Sequence, residues 1–347
     1  MNKKYLPSAI ILYLNYFIHG IGCSILSQQL VKELLAEQWG MSDVMGVTAV
    51  AAALGLGRLI SLPFAGPLSD KFGRRVSVLI GCFSYVTMGI KLFISVAQLL
   101  LSFFLGICVG TSMSYLTLPL VCGIVIAVLG VLAIFAPLPK VEGVGKGESF
   151  INNLKSAHFS LESVALILIG FTCTATFQLW LNCAQTFGTD VAGIASEDVS
   201  MMQTYYSAGT LVALFVTSIL ITKFKQVRFL VIYPVISLVM LVLVYMVKSP
   251  LICYVGAFVI GYAGAGGVLQ MVTAVANDLF PKIKGTLTSL VMIASSLCNY
   301  TILTAASNMS ASGVIVMNIV ITIIGIVLAV FVNVRYGVLL KNADTSK

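Results

Sequence analysis

Charge is scarce in this 347-residue chain: Asp, Glu, Lys and Arg make up 9% of it, against 59% apolar residues. A soluble domain of that composition would expose large apolar patches. The scarcity therefore excludes a water-facing globule and leaves an all-α, polytopic membrane protein, because a hydrocarbon layer of roughly 30 Å takes about 20 apolar residues per helix. Pairing among the eight cysteines is also missing. Cys23, Cys82, Cys108, Cys122, Cys173, Cys183, Cys253 and Cys298 stand singly in apolar stretches, without CxxC, and only two histidines accompany them. That pattern speaks against a metal site or a disulfide framework and reads as reduced thiols within helix packing. No Ser/His/Asp constellation, paired carboxylates or nucleotide-binding domain emerges, so neither an enzyme nor an ATP-driven pump is indicated, and no cofactor or metal is expected. Gly261, Gly264, Gly266 and Gly267 lie inside an apolar run with no following Lys-Ser/Thr, which reads as close helix packing rather than a phosphate loop. The net charge of +8 is no nucleic-acid footprint, since most cations sit in short loops between apolar runs.

What is present is a topology written in Lys and Arg. Lys3 and Lys4 set the N-terminus on the cytoplasmic side, and the apolar run after them continues through Gln28 without a clear cleavage site, so it reads as a retained first span. That span covers about 6 to 33, the loop Glu37 to Asp43 is external, and a second span returns to Asp70. Six later spans are expected near 162–187, 199–222, 228–247, 250–276, 286–308 and 312–334. The turns bearing Lys223, Lys225 and Arg228 and bearing Lys282 and Lys284 are basic, whereas the loop with Asp190, Glu197 and Asp198 is acidic. Both basic turns then face the cytoplasm, with the C-terminus and its Arg335, Lys341 and Lys347.

Residues 138–160, with Lys140, Lys146 and Lys155 after the helix-ending APLP, read as a cytoplasmic linker between an N-terminal bundle, 1–137, and a six-helix C-terminal bundle, 161–347. Parity then requires an even number of crossings between Arg75 and Pro137, although the 63 residues there would more naturally make three. Two crossings and a partial or re-entrant segment reconcile the two, giving about ten transmembrane helices.

The polar run GPLSDKFGRR, Gly66 to Arg75, closes the second span. Its glycines permit a tight turn, its arginines hold a cytoplasmic surface, and Asp70 can pair with cations or with a helix N-terminus across the bundle. Gly66, Leu68, Asp70, Gly73, Arg74 and Arg75 resemble the signature between helices two and three of the major facilitator superfamily of secondary transporters. The resemblance implies a two-bundle fold and a gating role for this turn; a purely topogenic loop is the plainer alternative. LYLNYFIHGIG (Leu12 to Gly22), LGLGRLISLPFAGPLSDKFGRR (Leu54 to Arg75), GAGGVLQ (Gly264 to Gln270) and NDLFPKIKG (Asn277 to Gly285) resemble, more narrowly, a bacterial inner-membrane branch of it, the YdiM/YdiN type. The NSxxDxxxYP stretch of that branch's fourth helix is absent, and KLFISVAQ, Lys91 to Gln98, is similar to the start of its fifth helix. The resemblance thus implies twelve helices shortened to about ten by loss of the fourth-helix region.

Arg58 stands out at mid-membrane, 15 residues after Asp43 and 12 before Asp70, or roughly 22 and 18 Å from the two surfaces. An arginine at that depth faces a cavity or a partner. Of the 12 acids none falls near the middle of a span, so an anionic substrate, a carboxylate for instance, could supply the charge through bidentate bonds. Bonding to helix-end carbonyls is the alternative. His19, one turn after Asn15 and 13 residues before Lys32, is the one mid-membrane group that titrates near neutral pH and a candidate for proton coupling; a neutral, hydrogen-bonded histidine is the other reading. Gln178, Trp180, Asn182 and Gln185 in one span, and Gln270 and Asn277 in another, could line the opposite cavity wall or bond between helices.

These features lead to a secondary transporter of the cytoplasmic membrane, moving a small solute by alternating access in symport with protons. Arg58, Asn15, His19, Gln178, Trp180 and Gln270 would hold the solute, and Gly66, Asp70, Gly73, Arg74 and Arg75 would form the gate. A shortened relative that no longer transports is the competing reading. A channel has less support, since neither a selectivity filter nor a ring of charge is visible.

Overall fold

The computed structural model describes residues 27–49, 52–53, 55–60, 159–280 and 284–345, together with eight single helical positions, 7, 10, 11, 14, 17, 125, 128 and 132. Asn15, His19, the turn Gly66 to Arg75, all but three positions of the stretch whose crossings were counted by parity and nearly all of the linker lie outside the described residues.

A short helix, α1 (Gln29–Gln38), leads through a turn at Gly40, whose φ of 65° suits glycine, into residues 45–60, helical at every described position. The second half is built from α2 (Leu161–Asp190), α3 (Met201–Lys223), α4 (Gln226–Val247), α5 (Pro250–Ile260), a π-helical turn (Gly261–Ala265), α6 (Val268–Leu279), α7 (Lys284–Ala306) and α8 (Ala311–Thr345). With α5 to α6 taken as one crossing, six helices among the described residues are long and apolar enough to span a bilayer. They coincide with the expected spans to within a few residues, except that α8 continues beyond 334.

Local chemistry sets the helix ends. The Ser160 hydroxyl accepts from the Ser163 N–H at 3.3 Å and caps α2, while Glu162 in the first turn pairs with Arg335 Nε of α8 at 2.8 Å. The pair ties α8 to the start of α2 just past the expected end of the span. Lys248 closes α4 in the left-handed region at φ 51°, and Ser249 with Pro250 opens α5.

Helix α2 is the hub, packed along α7 and α8 and largely buried. Two hydroxyl pairs and an amide tie it to its neighbours: Thr174 to Ser295 at 2.9 Å, Thr176 to Thr322 at 2.8 Å, and Asn318 Nδ2 to the Thr176 carbonyl at 3.0 Å. Such bonds hold helices together where lipid offers no hydrophobic drive. Helices α4 and α8 instead turn apolar sides outward, with Val239, Leu243, Met246, Ile323, Val327 and Val334 exposed, as a lipid-facing surface requires.

The run 250–276, read from sequence as one continuous span, is interrupted at 261–267. A π turn gives way to Gly267 at φ 109°, a conformation open to glycine and strained for other residues. The irregular backbone lies buried against α3, where Thr210 Oγ1 bonds the Gly261 carbonyl at 3.2 Å. Protein contact of this kind satisfies non-helical backbone at membrane depth.

Candidate functional site

Arg58 is half-buried on the stretch 45–60, and Gly55, one turn earlier on the same face, shows where that stretch meets the second half. A Cβ on Gly55 would lie 2.7 Å from both the Tyr300 backbone nitrogen and Asn299 Cβ of α7. The two helices therefore cross at backbone contact, and Arg58 follows the crossing point by about 4.5 Å along the axis. On α7, Asn299 Oδ1 at this crossing and Ser296 Oγ one turn before it are buried and find no hydrogen-bond partner among the described residues. Sequence reading passed over both, because nothing in an apolar run distinguishes a polar residue at a helix crossing from one packed within its own bundle.

A second meeting of the halves is denser. Lys32, at 1% exposure, is enclosed by protein, and its Nζ donates to Thr48 Oγ1 at 3.1 Å and to the carbonyl of Asn182 on α2. The Gln29 backbone N–H donates to Gln185 Oε1 at 2.6 Å, Gln185 Nε2 to Gln28 Oε1 at 3.5 Å, and Thr186 Oγ1 to Gln29 Oε1 at 2.9 Å. Lys32 had served as a marker of the water surface in placing His19; its burial removes that marker. A lysine near the end of an apolar run looks topogenic from sequence, and only the fold reveals a buried acceptor 150 residues away.

The other expected residues divide. Gln185 joins the two halves. Gln178 is half-buried on α2 and accepts from Asn182 Nδ2 through its carbonyl, at 2.9 Å, and its side chain, at 3.3 Å. Trp180 lies inside the second half with Met240, and a Cβ on Gly256 would meet its ring at 3.2 Å. Gln270 is exposed on α6 and lines a cavity of about 170 Å³ with Thr217, Gln226, Gly266, Gly267 and Met271. Asn277, about two turns further along α6, accepts from Thr288 of α7 at 3.0 Å.

No protein-family model matches the chain. It is 27% identical to the inner membrane transport protein YdiN of Escherichia coli K12 over 96% of this chain and 91% of that protein. It is 26% identical to YdiM of the same organism, over 96% of each. It is 28% identical to the MFS-type transporter YfkL of Bacillus subtilis 168, over 97% and 98%. The alignment with YdiN runs over 401 positions, so at least 54 of them (401 less 347) face no residue of this chain. Among solved structures, the human organic anion transporter MFSD10 superposes with a TM-score of 0.63 at 13% identity, over 95% of this chain and all of that one. A D-xylose–proton symporter does so with a TM-score of 0.63 at 12% identity, over 95% and 97%. With transport proteins as relatives along nearly its whole length and their fold in its helices, the chain is a membrane transporter with the fold of the major facilitator superfamily.

Proposed function

We propose that this transporter moves a small organic anion, a carboxylate in the simplest case, by alternating access, its two halves closing in turn around a site that includes Arg58. The observation that supports the reading is the crossing of the Arg58 helix with α7 at Gly55, on a helix whose buried Ser296 Oγ and Asn299 Oδ1 find no hydrogen-bond partner among the described residues. An anion docking there would gain bidentate bonds from arginine, and a donor on the same solute would satisfy Asn299. Gln178 and Gln270 supply further amides and Asn15 and His19 further contacts, whereas Trp180, packed within the second half, backs that wall rather than touching the solute. Protons are the coupling ion in this reading, carried by His19, with uptake as the direction, and Asp70 and Arg74 latch the cytoplasmic mouth.

The test is flux into proteoliposomes over a panel of carboxylates. Arg58→Ala is expected to lower uptake of the transported acid by roughly thirtyfold, the equivalent of about 2 kcal/mol for a desolvated charge contact. Arg58→Lys should retain part of it, since the charge survives and the planar fork does not. Equal uptake by wild type and Arg58→Ala would remove the anion site.

The competing reading, a shortened relative that folds without completing a cycle, draws on the at least 54 unmatched positions in the alignment with YdiN. A protein of that kind would show no flux with any solute and would expose its interface residues to one side of the membrane alone.

A further inference from the structure

The contacts around Lys32 form a seal between the halves, at the end of the bundle remote from the basic turns. Its members are not equivalent. Gln28, Gln29, Gln185 and Thr186 are neutral and bond one another across the junction. Lys32 carries three N–H donors when charged and meets two neutral acceptors, the Thr48 hydroxyl and the Asn182 carbonyl. The nearby carboxylates are engaged elsewhere: Glu33 accepts from Gln29 Nε2 at 3.1 Å, and Asp43 accepts from the Met45 N–H at 2.8 Å. Among the described residues no acid reaches the Lys32 ammonium. An ion taken from water into such a setting raises the free energy of the state that buries it, and two neutral hydrogen bonds recover only part of the lost hydration.

We propose that Lys32 is the residue that reopens this seal. The neutral amides and hydroxyls hold the halves together, and the lysine, which recovers its water when they part, limits how firmly they stay closed. This assignment rests on the alternating-access reading above. Its sign is opposite to that of an ordinary latch, whose removal would loosen the junction. Substituting an unbranched apolar side chain of similar length keeps the packing and removes the buried charge. The Asn182 carbonyl would not be orphaned, because it lies four residues before Thr186 within the continuous helix α2 and keeps its intrahelical bond.

The protein carries its own reporter. Cys183, adjacent to Asn182, is 1% exposed and must gain water when the junction parts. Full-length protein in proteoliposomes, treated from the external face with a membrane-impermeant maleimide and read by peptide mass spectrometry, gives the labelling rate of Cys183 separately from the other cysteines. Lys32→Met is expected to label at least tenfold more slowly than wild type and to turn over more slowly, whereas Gln185→Leu, which removes neutral ties, should label faster. Lys32→Gln, neutral and polar, serves if the methionine variant does not fold, and should also slow labelling. An unchanged or faster rate in the neutral variants makes Lys32 a latch or a bystander and overturns the proposal. If wild-type Cys183 reacts only after denaturation, the alternating-access reading falls, and the role given to Lys32 falls with it.

Discussion

Gly209→Val is expected to unfold the second half under conditions in which wild type is stable. Helices α3 and α5 cross with their backbones in contact. A Cβ at position 209 would fall on the Phe258 carbonyl oxygen, 2.9 Å from its carbon and 3.0 Å from the Tyr262 nitrogen, and a Cβ at position 261 would fall on the Tyr206 carbonyl. None of these atoms is the free end of a side chain, so relief requires the helices to move apart. Separation would strip the Thr210 bond from the Gly261 carbonyl, leaving the π turn with an unsatisfied group at membrane depth. Overpacking ordinarily costs about 1 to 3 kcal/mol, and a backbone clash coupled to a lost buried hydrogen bond belongs at or above the top of that range. For a bundle of this size, about 3 kcal/mol corresponds to a fall of roughly 10 °C in the unfolding midpoint, measurable by thermal unfolding of detergent-solubilised protein. Gly337→Ala is the control, since nothing lies within 4 Å of the added methyl. A Gly209→Val protein that melts within about 2 °C of wild type would show that α3 and α5 do not cross at backbone contact.

That crossing marks the limit of what the sequence could reveal about the fold. The six later helices were legible because each apolar run is bounded by a short polar turn, and a bilayer imposes one length on every span. The glycines at 261, 264, 266 and 267 were legible as packing residues, yet their partner was not. Gly209 stands 52 residues from Gly261 in an otherwise ordinary apolar segment, and only the fold shows that the two belong to one contact. The break in the 250–276 run was hidden for a related reason: an apolar run containing glycine reads the same whether its middle turn is α or π, because the choice depends on whether a neighbour such as Thr210 can take the freed carbonyl.

Charge was a good guide to turns and a poor one at Lys32. A cation near the end of a span satisfies the topogenic rule, and water contact was inferred from it. The structure instead buries Lys32 against a carbonyl of the opposite half. Arg58 was singled out by depth alone, but Ser296 and Asn299 on the helix it crosses were not, since serine and asparagine occur throughout the later spans and become informative only when found buried without partners among the described residues. Gln185 was recognised as a polar residue in a span; that its partner is the backbone of residue 29, rather than a solute, required the fold.

Joining the two halves at this junction should stop transport reversibly. Thr186 Oγ1 and Gln29 Oε1 lie 2.9 Å apart across it, so cysteines introduced together at 29 and 186 come within reach of a short, reducible bifunctional thiol reagent. In an alternating-access carrier the junction must part once in every cycle, and a tether shorter than the opening it spans holds the protein in one state. Uptake by the doubly substituted protein is expected to fall at least about tenfold on cross-linking and to recover on reduction, because a population confined to one state contributes no turnover. The pair is made in a Cys183→Ser background, because native Cys183 becomes reactive when the junction parts, and each single-cysteine variant in that background should be unaffected by the same treatment. Uninhibited transport in demonstrably cross-linked protein would mean that these residues stay together throughout the cycle. The seal would then be a fixed part of the fold, and the moving interface would have to be sought elsewhere along the contact between the halves.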